Sequence, residues 1–116
     1  MARIRPFIPA KDLETSANFY EALGFEALFR DENLAIFEYE GAGFLLQNYY
    51  VKEWAENCMV QLIVPDLDAW FERTATLAAD FGVREPLPPK MQDWGNRVAF
   101  VFDPAGVLLH VCQGDG

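Results

Sequence analysis

His110 is the only histidine in this chain of 116 residues, and its imidazole is the side chain best suited to general acid–base chemistry. Cys58 and Cys112 are too few for a disulfide framework and match no close metal-binding spacing. The sequence contains no glycine-rich phosphate loop and no nucleophile elbow. We therefore expect His110 to line a site by hydrogen bonding, and both cysteines to be buried, reduced thiols.

The composition predicts one folded domain. Hydrophobic residues make up 52% of the chain and aromatic residues 15%, which is too rich for a disordered protein. No apolar run approaches the roughly 20 residues that span a bilayer. The first residues, MARIRPFIPAKDLE, lack the long apolar stretch of a secretory signal. We therefore expect the protein to reside in the cytoplasm.

The charge balance excludes several classes of partner. Nine basic and eighteen acidic residues give a formal net charge of −9. Such a chain repels nucleic acid and anionic membranes, because phosphate binding depends on Lys and Arg. The same charge would attract a cationic ligand. An acidic surface also favours solubility, and the charge alone does not separate these two roles.

The first half of the chain predicts a strand, a helix and three further strands. Asp12 is a good helix N-cap, and Gly24 stands where a C-cap glycine belongs. Apolar residues recur at helical spacing between these two positions. Pro9 is expected to end the first strand. The expected ranges are a strand at 3–8, a helix at 12–23, and strands at 25–30, 34–39 and 44–49.

The second half repeats this order, and Asp66-Leu67 stands at the position equivalent to Asp12-Leu13, 54 residues later. The expected ranges are a strand at 58–64, a helix from 66 to 82, a short strand near 83–87, a proline-rich loop at 86–89, and strands at 97–102 and 107–113. We therefore predict an α+β fold of two βαβββ modules, 1–52 and 57–116, within one domain (1–116). Their curved mixed sheet would surround a cleft, with the helices outside.

Two motifs resemble those of a known superfamily. Asp12-Leu13, Ser16, Phe19-Tyr20 and Leu23-Gly24-Phe25 resemble the first-helix signature of the vicinal oxygen chelate superfamily, which comprises glyoxalases, ring-cleaving dioxygenases and bleomycin-resistance proteins. Asp103-Pro104-Ala105-Gly106 resembles its closing hairpin. Trp94-Gly95 is similar to the loop that lines the drug cleft in the bleomycin-resistance branch. The resemblance covers nearly the whole chain.

The resemblance implies four positions for a divalent metal, one on each of four strands. In this chain they fall on Arg5, Gln47, Met59 and His110. Arginine keeps a fixed positive charge, and a thioether is a poor ligand for the metals of these enzymes. One imidazole does not hold a metal by itself. We therefore expect no metal and no other cofactor.

Strand alternation suggests which side chains line the cleft. They combine aromatic rings with a few polar groups, which suits a planar, partly apolar small molecule, and a cationic one would be favoured by the net charge. The predicted ligand-binding residues are Arg5, Phe7, Gln47, Tyr49, Met59, Gln61, Trp94 and His110. We expect no catalytic residue among them.

Three functions remain open at this point. The resemblance favours a binding protein that sequesters a drug or metabolite, and so confers antibiotic resistance, in a cleft built from modules of both chains of a homodimer. The second candidate is a metal-dependent lyase or dioxygenase of the glyoxalase type. The third is a degenerate member that serves as a sensor or interaction domain. The poor metal-ligand set weighs against an enzyme.

Overall fold

Two four-stranded sheets form the protein in the computed structural model, which describes residues 2–114. In the first sheet the strand order is β1-β4-β3-β2, and in the second it is β5-β8-β7-β6. The outer strands β1 and β5 are each parallel to their neighbour, and the other pairs are antiparallel. The strands are β1 (Phe7–Pro9), β2 (Glu26–Arg30), β3 (Leu34–Tyr39), β4 (Ala42–Gln47), β5 (Met59–Val64), β6 (Leu87–Met91), β7 (Arg97–Phe102) and β8 (Leu108–Gln113). This confirms the predicted α+β fold of two βαβββ units.

Aspartate caps begin the two principal helices, as predicted. The Asp12 carboxylate accepts a hydrogen bond from the Thr15 amide at the start of α1 (Leu13–Ala22). Asp66 accepts one from the Ala69 amide at 3.1 Å, at the start of α3 (Leu67–Phe71). Each contact satisfies one of the amide groups that a helix start leaves unpaired.

The single helix predicted at 66–82 is wrong. After α3 the chain forms a 3₁₀ turn, Glu72–Thr74, and then α4 (Leu77–Phe81), which ends at Gly82 in the left-handed conformation. The Thr74 hydroxyl donates to the Phe71 carbonyl at 2.7 Å, and such local bonds compete with the regular helical ladder. Another helix, α2 (Lys52–Asn57), lies in the connection between the two sheets, where no element was predicted.

Several strand limits also differ from the predictions. The segment expected to be a proline-rich loop, 86–89, contributes to β6, and the strand expected near 83–87 lies further along the chain. β6 is an edge strand with a register shift between Leu87 and Lys90, and prolines are tolerated in such strands. For the same reason Pro9 belongs to the edge strand β1. Glu40 and Gly41 have φ of 48° and 86° and form the β3–β4 turn, so that β4 begins at Ala42.

One face of each sheet packs against the helices, and a single apolar core joins both halves. Alternate strand residues are buried on this face, including Phe37 and Leu46 in the first sheet and Leu62 and Val111 in the second. Phe19 of α1 meets Phe81 of α4 edge to face, with the ring centroids 5.5 Å apart. Because side chains alternate along a strand, the remaining side chains of each strand lie on the opposite face of the sheet, here called the open face.

A hydrogen bond between Tyr20 and Asp103 links the two halves inside this core. The Tyr20 hydroxyl donates to Asp103 Oδ2 at 2.7 Å, and both side chains are buried. Asp103 Oδ1 accepts from the backbone amides of Ala105 and Val107 at 2.8 and 2.9 Å. Burial raises the pKa of Asp103, and these hydrogen bonds partly offset that rise. Burial and the neighbouring carboxylate raise the pKa of Tyr20 well above 10.

Arg73 makes a second connection between the halves. Its Nη1 donates to the carbonyl oxygen of Leu23 at 3.0 Å, and its guanidinium lies 5.2 Å from the centre of the Tyr39 ring. Gly24 follows with a φ of 100°, and a Cβ at this position would collide with the Arg73 guanidinium. The glycine is therefore required both by its conformation and by the approach of Arg73.

Tyr20→Phe tests how far the buried hydrogen bond stabilises the fold. The substitution leaves Asp103 Oδ2 without its hydroxyl donor, so we expect the free energy of unfolding to fall by about 1.5–3 kcal/mol at neutral pH. Urea denaturation of both proteins measures the difference. Tyr49→Phe removes the same hydroxyl from an exposed ring and is the matched control.

The same two variants predict a pH dependence. Because the pKa of Tyr20 is raised in the folded state, its contribution to stability is complete below about pH 10 and is lost as the pH rises further. Wild type and Tyr49→Phe should therefore lose more stability than Tyr20→Phe between neutral pH and about pH 10.5. Equal losses in all three proteins would contradict the assigned hydrogen bond.

Candidate functional site

The open face of the second sheet carries a continuous row of side chains across all four strands. Gln61 on β5 pairs with His110 on β8, His110 with Phe100 on β7, and Phe100 with Leu87 on β6. We call Gln61, His110, Phe100 and Leu87 the His110 row. Met59, with 61% of its surface exposed, lies beside Gln61 on the same face of β5. The row places the only histidine at the centre of an open surface.

Two aromatic rings lie against this histidine. Trp94 lies nearly parallel to His110, with an interplanar angle of 18° and the ring centroids 6.1 Å apart. Phe100 meets the His110 ring edge to face at 5.6 Å. Gln61 Nε2 approaches His110 Nδ1 at 3.4 Å. Trp94, His110 and Phe100 are called the aromatic cluster below, and Gln61 adds one polar group at its edge.

The loop between β6 and β7 holds Trp94 over the sheet. Gln92 N donates to the Asn96 carbonyl at 2.8 Å, and Gly95 N donates to the Gln92 carbonyl at 3.0 Å. Gly95 has a φ of 98°, which glycine adopts without steric cost. The Asn96 side chain donates to the Gln113 carbonyl at 3.0 Å and ties the loop to β8. Trp94 is 60% exposed, so it is not a core residue.

The open face of the first sheet has an equivalent row. Phe7 on β1, Leu45 on β4, Ile36 on β3 and Phe29 on β2 are cross-strand neighbours. Gln47 lies two residues after Leu45 on the same face and pairs with Pro9 and Leu34. Beyond the end of β4, exposed Tyr49 approaches the Trp54 ring, with the centroids 6.1 Å apart.

Arg5 lies apart from both rows. It lines a cavity of about 580 Å³ between the two halves of the chain, and Gln61 reaches the same cavity from β5. We call this the seam cavity. The structure thus brings Met59, Gln61, Trp94 and His110 together on one sheet. Phe7, Gln47 and Tyr49 belong to the other half, and Arg5 to the seam.

The residues at the four inferred metal positions do not fit a divalent cation. A guanidinium and a thioether stand at two positions, and an amide stands at a third. Within residues 2–114, no group of three or more His, Cys, Asp or Glu side chains is placed to hold a metal ion. His110 is the one effective donor at these positions, and its neighbours are a glutamine and two aromatic rings.

The cysteines are poorly placed for nucleophilic chemistry. Burial raises the pKa of both Cys58 and Cys112, which disfavours the reactive thiolate. Both are free thiols, with Cys112 buried and Cys58 half-buried.

No helix in the described part of the chain is long and apolar enough to span a membrane.

Phe100 and Leu87 are members of the His110 row that the sequence did not point to as site residues. The predicted β7 places Phe100 correctly on a strand, and its residues agree fully with the structure. Its pairing with His110, however, depends on the register of the β7–β8 hairpin. Leu87 was predicted at the end of the strand near 83–87, but its pairing with Phe100 was missed, because β6 begins at Leu87 and continues through the segment expected to be a loop.

Comparisons with known proteins agree with this fold. The family described as Glyoxalase/Bleomycin resistance protein/Dioxygenase superfamily matches residues 3–111. A bleomycin resistance protein of Klebsiella pneumoniae is 28% identical over 120 residues, which cover 95% of this chain and 90% of that protein.

Solved structures of bleomycin-binding and bleomycin-resistance proteins superpose on nearly the whole of this chain. The bleomycin resistance determinant encoded on the transposon Tn5 superposes with a TM-score of 0.81 and 25% identity, covering 100% of both chains. The bleomycin-binding protein of Streptomyces verticillus, complexed with copper(II)-bleomycin, superposes with a TM-score of 0.82 and 26% identity, covering 98% of this chain and 97% of that one. The resemblance to the bleomycin-resistance branch is therefore confirmed, and this chain belongs to the Glyoxalase/Bleomycin resistance protein/Dioxygenase superfamily.

Proposed function

We propose that this protein binds a bleomycin-type or similar planar small molecule and sequesters it without chemical conversion. The observation that carries the proposal is the aromatic cluster on the open face of the second sheet. Its support is the similarity to a bleomycin resistance protein and to a bleomycin-binding protein whose structure contains the copper-bound drug. Sequestration of such a drug would confer resistance on the host.

The cluster has the properties of a stacking platform. The Trp94 ring is exposed, and His110 supports it from the sheet. A planar group stacked on Trp94 would gain on the order of 1 kcal/mol beyond its area burial. A positive charge on the ligand would be attracted to the indole face and to the net charge of −9.

We further propose a homodimer that covers the open faces. Phe7 is 52% exposed, and Met59 and Ile63 are each 61% exposed, so both sheets present large apolar side chains to water. Apolar patches of this kind mark interaction surfaces. If the first sheet of one chain faces the second sheet of its partner, each cleft has two walls. The first wall carries Phe7, Gln47 and Tyr49, and the second carries Met59, Gln61, Trp94 and His110.

The charge balance and the residue types at the inferred metal positions support a small molecule as the partner and binding as the function. Eighteen acidic residues against nine basic ones disfavour nucleic acid and anionic membranes as partners. Residence in the cytoplasm remains a prediction from the N-terminal sequence. The donor set at the four inferred metal positions favours binding over the metal-dependent chemistry of a lyase or dioxygenase.

Trp94→Ala tests the stacking platform. Bleomycin affinity, measured by calorimetric titration, should fall several-fold, which corresponds to on the order of 1 kcal/mol of lost stacking. The melting temperature should change little, because the ring is 60% exposed. Met91→Ala is the matched control, since Met91 is also 60% exposed but pairs with Arg97 and so lies off the His110 row. A loss of roughly 3–5 kcal/mol in stability would instead identify Trp94 as core.

Elemental analysis tests the absence of a catalytic metal. Purified protein should contain no stoichiometric Zn, Ni, Mn or Fe and should show no glyoxalase activity, because the residues at Arg5, Gln47 and Met59 do not form a ligand set. One metal ion per chain that survives modest washing would show that this assignment is wrong.

Light scattering tests the homodimer. At micromolar concentration the measured mass should be twice that of one chain. Ile63→Asp places a charge on the open face and should shift the protein towards monomer, because burying an unpaired carboxylate is unfavourable. Val51→Asp, at the exposed start of α2, is the control and should remain dimeric. A monomeric wild type would contradict the proposed two-walled cleft.

A further inference from the structure

The seam cavity has a polar end and apolar walls. Its walls include Ile8, Phe44, Leu62 and Leu109, all of which are buried. Arg5 and Arg3 supply the positive charges of the lining, and Gln61 supplies an amide. The volume of about 580 Å³ lies within the range of about 300–1,000 Å³ that small-molecule sites occupy.

The two arginines of the cavity differ in their partners. Arg3 forms an ion pair with Glu38, with Nη2 and Oε2 2.6 Å apart. Within residues 2–114, ion pairs join carboxylates to Arg3, Arg30 and Arg97, and no carboxylate lies within ion-pair distance of Arg5. Arg5 is half-buried, and no carboxylate of the described residues forms an ion pair that would balance its charge.

The backbone of β4 makes room for this arginine. Gly43 has no side chain, and a Cβ at this position would lie 3.8 Å from Arg5 Nε and only 2.9 Å from the Phe37 carbonyl oxygen. The Arg5 side chain therefore crosses over the glycine at the edge of the cavity. Its planar guanidinium can bind both oxygens of a carboxylate at once, a geometry that the ammonium group of lysine cannot reproduce.

We propose that the seam cavity binds a small amphipathic carboxylic acid, with its carboxylate on Arg5 and its hydrocarbon part between the two halves of the chain. The charge that Arg5 brings, which makes this position unsuitable for a metal, makes it suitable for an organic anion. Trp94, His110 and Phe100 do not line this cavity, and Gln61 is the one residue that it shares with the walls of the proposed drug cleft.

Calorimetric titration with 2-naphthoate tests the site, and 2-naphthamide is the neutral analogue of the same shape. At low ionic strength, 2-naphthoate should bind once per chain. The amide should bind at least roughly tenfold more weakly, because it lacks the charge that Arg5 recognises. Arg5→Gln should weaken 2-naphthoate binding by a similar factor. The melting temperature of this variant shows whether its fold is retained.

Arg84→Gln is the matched control, because it removes the same charge from an exposed guanidinium that lies over the Phe102 ring and does not line the seam cavity. It should change the affinity by less than about twofold. Methyl NMR signals of Val60, Leu62 and Leu109 should shift on titration, and those of Ile63, on the open face, should not.

Three results of the titrations would overturn the inference: no binding of 2-naphthoate, equal binding of acid and amide, or equal effects of Arg5→Gln and Arg84→Gln. Methyl shifts confined to the open face would do the same. Titration of the wild type with bleomycin runs in parallel. Retained bleomycin binding without 2-naphthoate binding would overturn this inference alone, and the reverse would overturn the proposed function alone.

Discussion

The buried hydrogen bond between Tyr20 and Asp103 connects residues 83 positions apart and joins the two halves of the chain. A carboxylate in an apolar core is unfavourable unless its oxygens are paired, and here a hydroxyl and two backbone amides pair them. The amides belong to the β7–β8 turn, so the conformation of that turn and the position of α1 depend on each other. The first-helix motif and the closing-hairpin motif, which both resemble those of the superfamily, therefore contact each other through this hydrogen bond.

The arrangement of the helices explains why the proposed binding surface lies where it does. Both principal helices pack on the same kind of sheet face, and the core they form uses the apolar residues of alternate strand positions. The strand residues between these core positions point to the open faces, where Phe7, Met59 and Ile63 are exposed. The same alternation that builds the core thus supplies a surface suited to a ligand or a second chain.

Arg5 and His110 show how one fold can carry different chemistry. Of the four positions that the resemblance implies for a metal, only that of His110 carries an effective metal donor. Arg5 faces the seam cavity, and His110 is enclosed by Trp94, Phe100 and Gln61. Both environments suit recognition of organic groups better than coordination of a cation, because they offer rings, amides and a fixed positive charge.

The sequence by itself determined the helix starts at Asp12 and Asp66, the limits of β3 and β7, and the shared face of Met59 and Gln61 on β5. Capping and strand alternation are local, so nearby residues suffice to predict them. Only the tertiary structure decided that Phe100 joins His110 under Trp94, that Leu87 pairs with Phe100, and that Arg5 lines a cavity. Those features depend on strand register and on packing between the two halves, which are set by contacts between residues far apart in the chain.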